Sequence, residues 1–228
     1  MPKNHAIIYL KAETDRKDVF MKINVKNAEL AILIGMAVTI FCAGFCGFEE
    51  SYSDITETVF RLHILANSDS EEDQQLKLQV RDAVLEETSY IFDGKGSAEE
   101  SAKAAENNLT EIKSVAERVI KENGYNYSVH CEITEMDFDN RVYDTITMPA
   151  GHYKALRITI GEAKGKNWWC VMFPPLCMPA VTNIDEALED CDGVFTAEEL
   201  DMLQNPENYE CRFYVLELIE KLKKKICA

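Results

Sequence analysis

Two pairs of residues in this sequence could carry hydrolytic chemistry. His63 and Asp69 flank Asn67 at a predicted strand-to-helix turn, where a histidine beside a carboxylate can serve as a general base. His152 and Cys170 could act as a base and a thiolate nucleophile. Each pair also has a plainer interpretation. Polar groups at a helix start usually satisfy the backbone, and a thiol within an apolar strand is usually inert packing or half of a disulfide.

Other motifs that would indicate catalysis, a metal or a cofactor are missing. The sequence has no G-x-S-x-G and no H-E-x-x-H. GEAKGKN at 161–167 superficially resembles a phosphate-binding loop, but it lacks Ser or Thr after Lys166 and precedes a predicted strand. The C-x6-C spacing of Cys170 and Cys177 matches no zinc pattern. We therefore predict neither a metal nor a cofactor.

Charge is distributed unevenly along the chain. Residues 49–228 carry 18 basic and 36 acidic side chains, a net charge of −18. Such a field repels phosphate backbones and anionic lipid, so we predict that the protein has no nucleic-acid partner. The same charge would also keep an exported domain soluble.

An uncharged stretch near the N-terminus sets the expected topology. Residues 30–48, from Leu30 to Phe48, contain no charged side chain and would span roughly 28 Å as a helix, close to the thickness of a bilayer core. Basic residues precede the stretch and acidic residues follow it, which predicts a cytoplasmic N-terminus. A weak cleavage site at Cys42-Ala43-Gly44 leaves a cleaved signal open, although an uncleaved anchor is slightly favoured. The expected organisation is a cytoplasmic tail at 1–27, a transmembrane helix or signal segment at 28–48, a linker at 49–58 and an exported domain at 59–228.

Six cysteines would lie outside the membrane in this topology, and disulfides are therefore permitted. They allow fifteen pairings, among which sequence does not choose, and Cys170 with Cys177 is one candidate disulfide. The six are Cys131, Cys170, Cys177, Cys191, Cys211 and Cys227.

Apolar periodicity predicts an α+β domain, with a mostly antiparallel four-stranded sheet and helices on one face, behind the N-terminal transmembrane or signal helix. Residues 141–148 are either a strand or an extended loop, and 161–167 should join the last two strands as a hairpin. The predicted strands are 59–66, 125–134, 153–160 and 168–173. The predicted helices are 71–92, 98–123, a short one after Thr196, and 206–225.

Trp168 and Trp169 should point to opposite faces of their strand, because neighbouring strand residues alternate. One ring can then enter the core, while an outward ring beside Asn167 would be a natural interface anchor. The alternative, equally open, is that the C-terminal helices cover both rings.

Two long stretches resemble the stage II sporulation protein R family of endospore-forming bacteria. They are FRLHILANSDSEEDQQLKLQVRDAVL at 60–85 and PAGHYKALRITIGEAKGKNWWCVMFPPLC at 149–177. The resemblance implies a non-enzymatic signal, made in the forespore and exported into the space between the forespore and mother-cell membranes. There it would trigger a membrane-embedded aspartic protease of the mother cell to process the precursor of the early mother-cell sigma factor.

Seven residues match the motifs of this family, and we expect them either to shape the fold or to contact the receptor. They are Arg61, His63, Asn67, Asp69, Asn167, Trp168 and Trp169. The alternative function is a membrane-anchored cell-wall hydrolase that uses His63 with Asp69 or His152 with Cys170.

Overall fold

The computed structural model describes residues 7–11, 20–143, 145–177, 193–209, 213 and 215. The chain forms two compact units, residues 1–50 and residues 51–228. In the first, β1 (Ile7–Lys11) pairs antiparallel with β2 (Phe20–Asn24), and helix α1 (Val25–Thr58) begins. The side chains of residues 41–47, within the predicted membrane segment, lie outside the described set. Within the described residues, no helix combines the length and the apolar character needed to cross a bilayer.

The second unit begins with the last turns of α1. Residues 51–58 are therefore helical, where the sequence led us to expect a linker. The strands that follow are β3 (Phe60–Leu65), β4 (Val129–Phe138), β5 (Arg141–Tyr143), β6 (Ile146–Met148), β7 (Gly151–Ile160) and β8 (Asn167–Phe173). The helices are α2 (Glu71–Glu87), α3 (Ala98–Asn107), α4 (Leu109–Glu122) and α5 (Ala197–Gln204).

Four of these strands form the main sheet, in the order β4-β7-β3-β8. β3 is parallel to β7 and antiparallel to β8, and β4 is antiparallel to β7. The predicted α+β class and the mostly antiparallel four-stranded sheet are confirmed. The predicted hairpin between the last two strands is wrong, because β3 lies between β7 and β8. Its side chains from Phe60 to Ile64 are all buried, as expected of a central strand covered on both faces.

The helical region between β3 and β4 differs in detail from the prediction. The single helix expected at 98–123 is wrong, since the chain breaks at Asn108, whose side-chain amide donates to the carbonyl of Ala104 at 2.8 Å. Gly124, with φ of +83°, ends α4 as predicted. The strand expected from residue 125 begins only at Val129.

Helix starts follow the predicted capping chemistry. The hydroxyl of Ser70 accepts from the backbone N–H of Asp73 and begins α2, and Thr196 forms a full capping box with Glu199 at α5. Asn205-Pro206, expected to open a long helix, instead begins a 3-10 turn (Pro206–Asn208). The rest of the predicted 206–225 helix, except residues 213 and 215, lies outside the described residues, as do Cys191, Cys211 and Cys227.

The hydrophobic core lies between the sheet and helices α2 to α4. Leu62 and Ile64 of β3 and Leu156 and Ile158 of β7 point into it, because they occupy alternate positions of paired strands. On the other face, the hairpin of β5 and β6 brings Tyr143 to a hydrogen bond with β3, described below. The sheet therefore has two covered faces, and residues one apart along β3 enter different environments.

Truncating the core face of β7 should destabilise the domain. Ile158→Ala removes a fully buried side chain and should cost about 3 kcal/mol of the free energy of unfolding, through lost burial and the remaining cavity. Val142→Ala is the control, since Val142 is 73% exposed, and should change stability by less than about 0.5 kcal/mol. Urea denaturation of both variants measures the difference, and equal costs would contradict this core.

Candidate functional site

The seven motif residues do not converge on one cleft. Asn67 and Asp69 lie where the chain leaves β3. Arg61 and His63 are buried on the sheet face opposite to α2–α4. Asn167, Trp168 and Trp169 begin β8, with the two rings on opposite faces. The seven motif residues therefore lie in three separate environments.

The first environment is a contact between two loops, which we call the interlock. Residues 161–166 connect β7 to β8, and because β3 lies between those strands, this connection must cross the end of β3 over roughly 10 Å. It crosses in direct contact with the chain leaving β3. The backbone N–H of Lys164 donates to the carbonyl of Asn67 at 3.1 Å, and that of Gly165 donates to the carbonyl of Ala66 at 3.0 Å.

Asn67 and Asp69 use their side chains to bind the crossing loop. The side-chain oxygen of Asn67 accepts from the backbone N–H of Glu162 at 3.0 Å, while its amide donates to the carboxylate of Asp73 at 2.8 Å. The carboxylate of Asp69 accepts from the backbone N–H of Lys166 at 2.7 Å. Both side chains are therefore committed to holding the two loops together.

Helix α2 contributes two buried charged residues, Asp73 and Lys77, that hydrogen-bond to the interlock. Burial alone would raise the pKa of the Asp73 carboxyl, but hydrogen bonds from Ser68 and Asn67 bring it below its usual value. The ammonium of Lys77 donates to the carbonyl of Lys166 at 2.9 Å. Burial lowers the pKa of Lys77. Loop, strand end and helix thus form one hydrogen-bonded unit.

Two glycines make this close approach feasible. A Cβ atom on Gly165 would lie 2.1 Å from the backbone oxygen of Ser68, and one on Gly161 would lie 2.2 Å from the side-chain oxygen of Asn67. Gly161 also has a φ of +57°, in the left-handed region. The glycines in GEAKGKN therefore serve backbone packing.

The second environment is an aromatic enclosure around Arg61, whose side chain is fully buried. Its guanidinium lies 4.1 Å from the ring centre of Phe138 and 4.8 Å from that of Tyr153. It donates one hydrogen bond, of 2.8 Å, to the hydroxyl of Tyr143, and no carboxylate among the described residues bonds to it. Cation–π attraction offsets part of the desolvation cost of this charge.

His63 lies on the same face, between the rings of Phe138 and Trp169, with ring centres 6.1 and 6.0 Å away. Burial lowers the pKa of His63 to about 4. The Asn167 side chain acts in the opposite direction, and the positive charges of Arg157 and Arg61 add to the lowering. The imidazole is therefore neutral at pH 7.

The two tryptophans are both half-buried, so neither is a fully exposed anchor. Trp168 faces the α2–α4 side, where the guanidinium of Arg81 lies 4.1 Å from its ring centre. Trp169 packs edge-on against Phe138, and Arg141 lies 4.4 Å from its ring centre. The predicted opposite orientation of the two rings is seen in the register, where Trp168 pairs with Ile64 and Trp169 with His63.

Neither hydrolytic pair is assembled. The carboxylate of Asp69 binds the backbone of Lys166, and no hydrogen bond within the described residues joins it to His63. Cys170 forms a disulfide with Cys177 and carries no free thiol. His152 bonds instead to Asp137 at 2.9 Å. By strand register it lies roughly 16 Å from Cys170.

The described residues hold no group of three or more potential metal ligands. Cys131 is the free cysteine among the residues whose side chains the structure describes. Burial raises the pKa of its thiol to about 12, so the thiolate form is scarce at neutral pH.

Sequence reasoning missed several residues that complete these environments. Lys77 is hidden in a helix rich in charged residues, and Tyr143 lies in a stretch that could not be assigned to strand or loop. The glycines of the crossing loop were a readable signal, because two glycines within GEAKGKN indicate a close backbone approach. The aromatic enclosure of Arg61 left no local signal, since its members come from β4, β5 and β7.

Comparison with known proteins places both motif stretches within one match. The family model of stage II sporulation protein R matches residues 56–183. Stage II sporulation protein R of Bacillus subtilis (strain 168) is 40% identical over 138 residues, which cover 60% of this chain and 62% of that protein. The chain thus spans less than two thirds of the length of this curated relative. No solved structure matches the chain.

The interlock should be intolerant of even one added methyl group. Gly165→Ala places its Cβ against the backbone oxygen of Ser68 and should lower the free energy of unfolding by about 3 kcal/mol. Gly96→Ala is the matched control, because its Cβ would meet only the Glu100 carboxylate, at 3.8 Å. Chemical denaturation compares the two variants, and a Gly165→Ala protein as stable as the control would refute the close approach.

Burial of neutral His63 should make stability depend on pH. The folded-state pKa of His63, about 4, lies below the usual 6.5, so its contribution is fully present above pH 6.5 and is lost as pH falls towards 4. Between about pH 7.5 and pH 5 the wild type should lose about 2 kcal/mol more stability than His63→Gln. Denaturation of both proteins at each pH measures this difference. Parallel pH profiles would show that His63 is not buried in its neutral form.

Proposed function

Because the chain belongs to the stage II sporulation protein R family, we propose that it is an exported signal that activates a membrane-embedded protease during sporulation. Membership of this family supports a role in sporulation. In the proposed role the protein leaves the forespore and triggers an aspartic protease of the mother cell, which then processes the precursor of the early mother-cell sigma factor.

One structural observation favours a signalling protein over an enzyme. Asn67 and Asp69 bind the crossing loop in the interlock, and Arg61 and His63 pack inside the aromatic enclosure. Such residues maintain a defined shape and present no base beside a nucleophile. A defined shape is what a binding signal requires, and no observation here favours the cell-wall hydrolase.

The proposed mechanism is a shift of the protease between two states. A ligand can move such an equilibrium only by the difference in its affinity for the two states. A rigid ligand binds with higher affinity than a flexible one, because it loses little conformational entropy when it binds. The hydrogen-bonded interlock and the disulfide between Cys170 and Cys177 both restrict the domain in this way.

Export in this proposal depends on residues 28–48. The N-terminus stays in the forespore cytoplasm, and the acidic domain crosses into the space between the two membranes, either anchored or released by cleavage. The charge of −18 on residues 49–228 opposes their attachment to anionic lipid.

Removing the export segment should abolish signalling without unfolding the domain. A chain lacking residues 28–48 should accumulate folded in the forespore, with complete loss of sigma-factor precursor processing on an immunoblot. The domain core lies beyond residue 50, which is why it should survive this deletion.

The matched control replaces residues 28–48 with an unrelated bacterial export signal, and it should restore processing. Resistance of the deleted chain to limited proteolysis in forespore lysate verifies its fold. Normal processing by the deleted chain would refute export as the required step, and failure of the exchanged signal would show that residues 28–48 have a role beyond delivery.

A further inference from the structure

A cavity of about 980 Å³ opens on the second unit, away from the interlock. Its walls come from five parts of the chain: the last turns of α1, Leu85 of α2, and residues within 89–101, 171–177 and 193–199. Apolar side chains of Leu85, Phe92, Met172 and Phe173 line it. A cavity of this size accommodates one or two large side chains of a bound segment.

The mouth of the cavity is acidic. Asp54, Glu57 and Asp93 are exposed around it, and none of the three forms a salt bridge within the described part of the chain. Lys95 is the one basic residue among the described lining residues. Unpaired carboxylates above an apolar floor favour a ligand with an apolar group and an adjacent positive charge.

A buried polar group adds an independent indication of a ligand. Ser101 in α3 lines the cavity and is 1% exposed, yet its hydroxyl makes no hydrogen bond to the described residues. A buried hydroxyl without a partner is costly, and a hydrogen-bonding group on a bound segment would relieve that cost.

We propose that this cavity is the receptor-contact site, and that it takes an apolar side chain flanked by lysine or arginine on an extracytoplasmic segment of the receptor. The inference rests on the proposed function for the identity of that receptor. The cavity chemistry by itself specifies the class of segment. Ion pairs at the mouth would orient the segment, and burial of its apolar side chain would supply most of the affinity.

Charge disfavours two other occupants. The carboxylate of a fatty acid would meet the acidic mouth and be repelled. A second copy of the chain would bring the charge of −18 on its own residues 49–228 against the first. A cationic segment gains from the same field in both affinity and association rate.

The first test measures binding without the receptor. The probe is an acetylated and amidated Lys-Leu-Phe-Lys peptide, added to the oxidised full chain in a nonionic detergent. Binding is followed by the NMR shift of the Met172 methyl group, because that residue lines the cavity. A Glu-Leu-Phe-Glu peptide of the same length should cause no shift.

Charge reversal at the mouth provides the matched comparison. Glu57→Lys with Asp93→Lys should weaken binding of the basic peptide by about tenfold or more. Glu86→Lys with Glu106→Lys changes the net charge by the same amount at exposed positions outside the cavity lining, and it should change the affinity by less than about twofold. Equal losses in both double variants, or tighter binding of the acidic peptide, would overturn the proposal.

The second test identifies the occupant in sporulating cells. A photo-crosslinking amino acid replaces Gly96, where an added Cβ has space and the position lies at the cavity. Crosslinks to a Lys- or Arg-containing extracytoplasmic segment of the receptor protease support the inference. Crosslinks to residues 178–192 of the same chain, to a second copy, or to lipid would overturn it.

Processing of the sigma-factor precursor separates failure of this inference from failure of the proposed function. If the Glu57→Lys, Asp93→Lys double variant no longer binds the peptide but supports processing at the wild-type level, the receptor-contact assignment is wrong and the signalling function stands. If the correctly exported wild type does not support processing, the proposed function fails. Peptide binding by the same protein would then still establish the cavity as a site for cationic segments, with a different partner.

Discussion

The position of β3 between β7 and β8 is the constraint on which the rest of the domain depends. Because these two outer neighbours are consecutive in sequence, their connection has to pass over the chain leaving β3. The two segments meet at backbone contact distance, which only glycine permits at residue 165. The side chains of Asn67 and Asp69 then satisfy the loop N–H groups that this crossing leaves without a strand partner.

The same strand order explains why one short motif serves several purposes. Alternation along β3 sends Leu62 and Ile64 towards the helices, and Arg61 and His63 towards the opposite face. There the rings of Phe138 and Tyr143 cover the guanidinium, so the β5–β6 hairpin is tied to the central strand by a buried polar contact. Among the described residues no carboxylate bonds to this guanidinium, and a buried charge of this kind often contributes no more to stability than an apolar residue of similar volume would.

Local patterns in the sequence predicted most elements and little of their assembly. Alternation located β3, β7 and β8, and capping residues located the starts of α2 and α5, because these signals act over a few neighbouring residues. Strand order is different, since inserting β3 between two consecutive strands depends on pairs that lie between 94 and 113 residues apart in sequence. The sequence predicted the seven motif residues as one set. Their division between the interlock, the aromatic enclosure and β8 follows only from that strand order. The cavity is built from five separate segments and has no local sequence signature.

These features together separate the parts of the domain that hold its shape from the part that is free to bind. Asn67, Asp69 and Lys77 all hydrogen-bond to the crossing loop, so changing them alters the frame of the domain. The carboxylates of Asp54, Glu57 and Asp93 form no salt bridge with a described residue and contribute little to folding. In a protein whose proposed task is to be recognised across a gap between two membranes, such carboxylates would act at longer range than the apolar lining of the cavity. Their field would reach about 8 Å into solution at physiological salt, so it would draw the proposed cationic segment towards the apolar lining before contact is made.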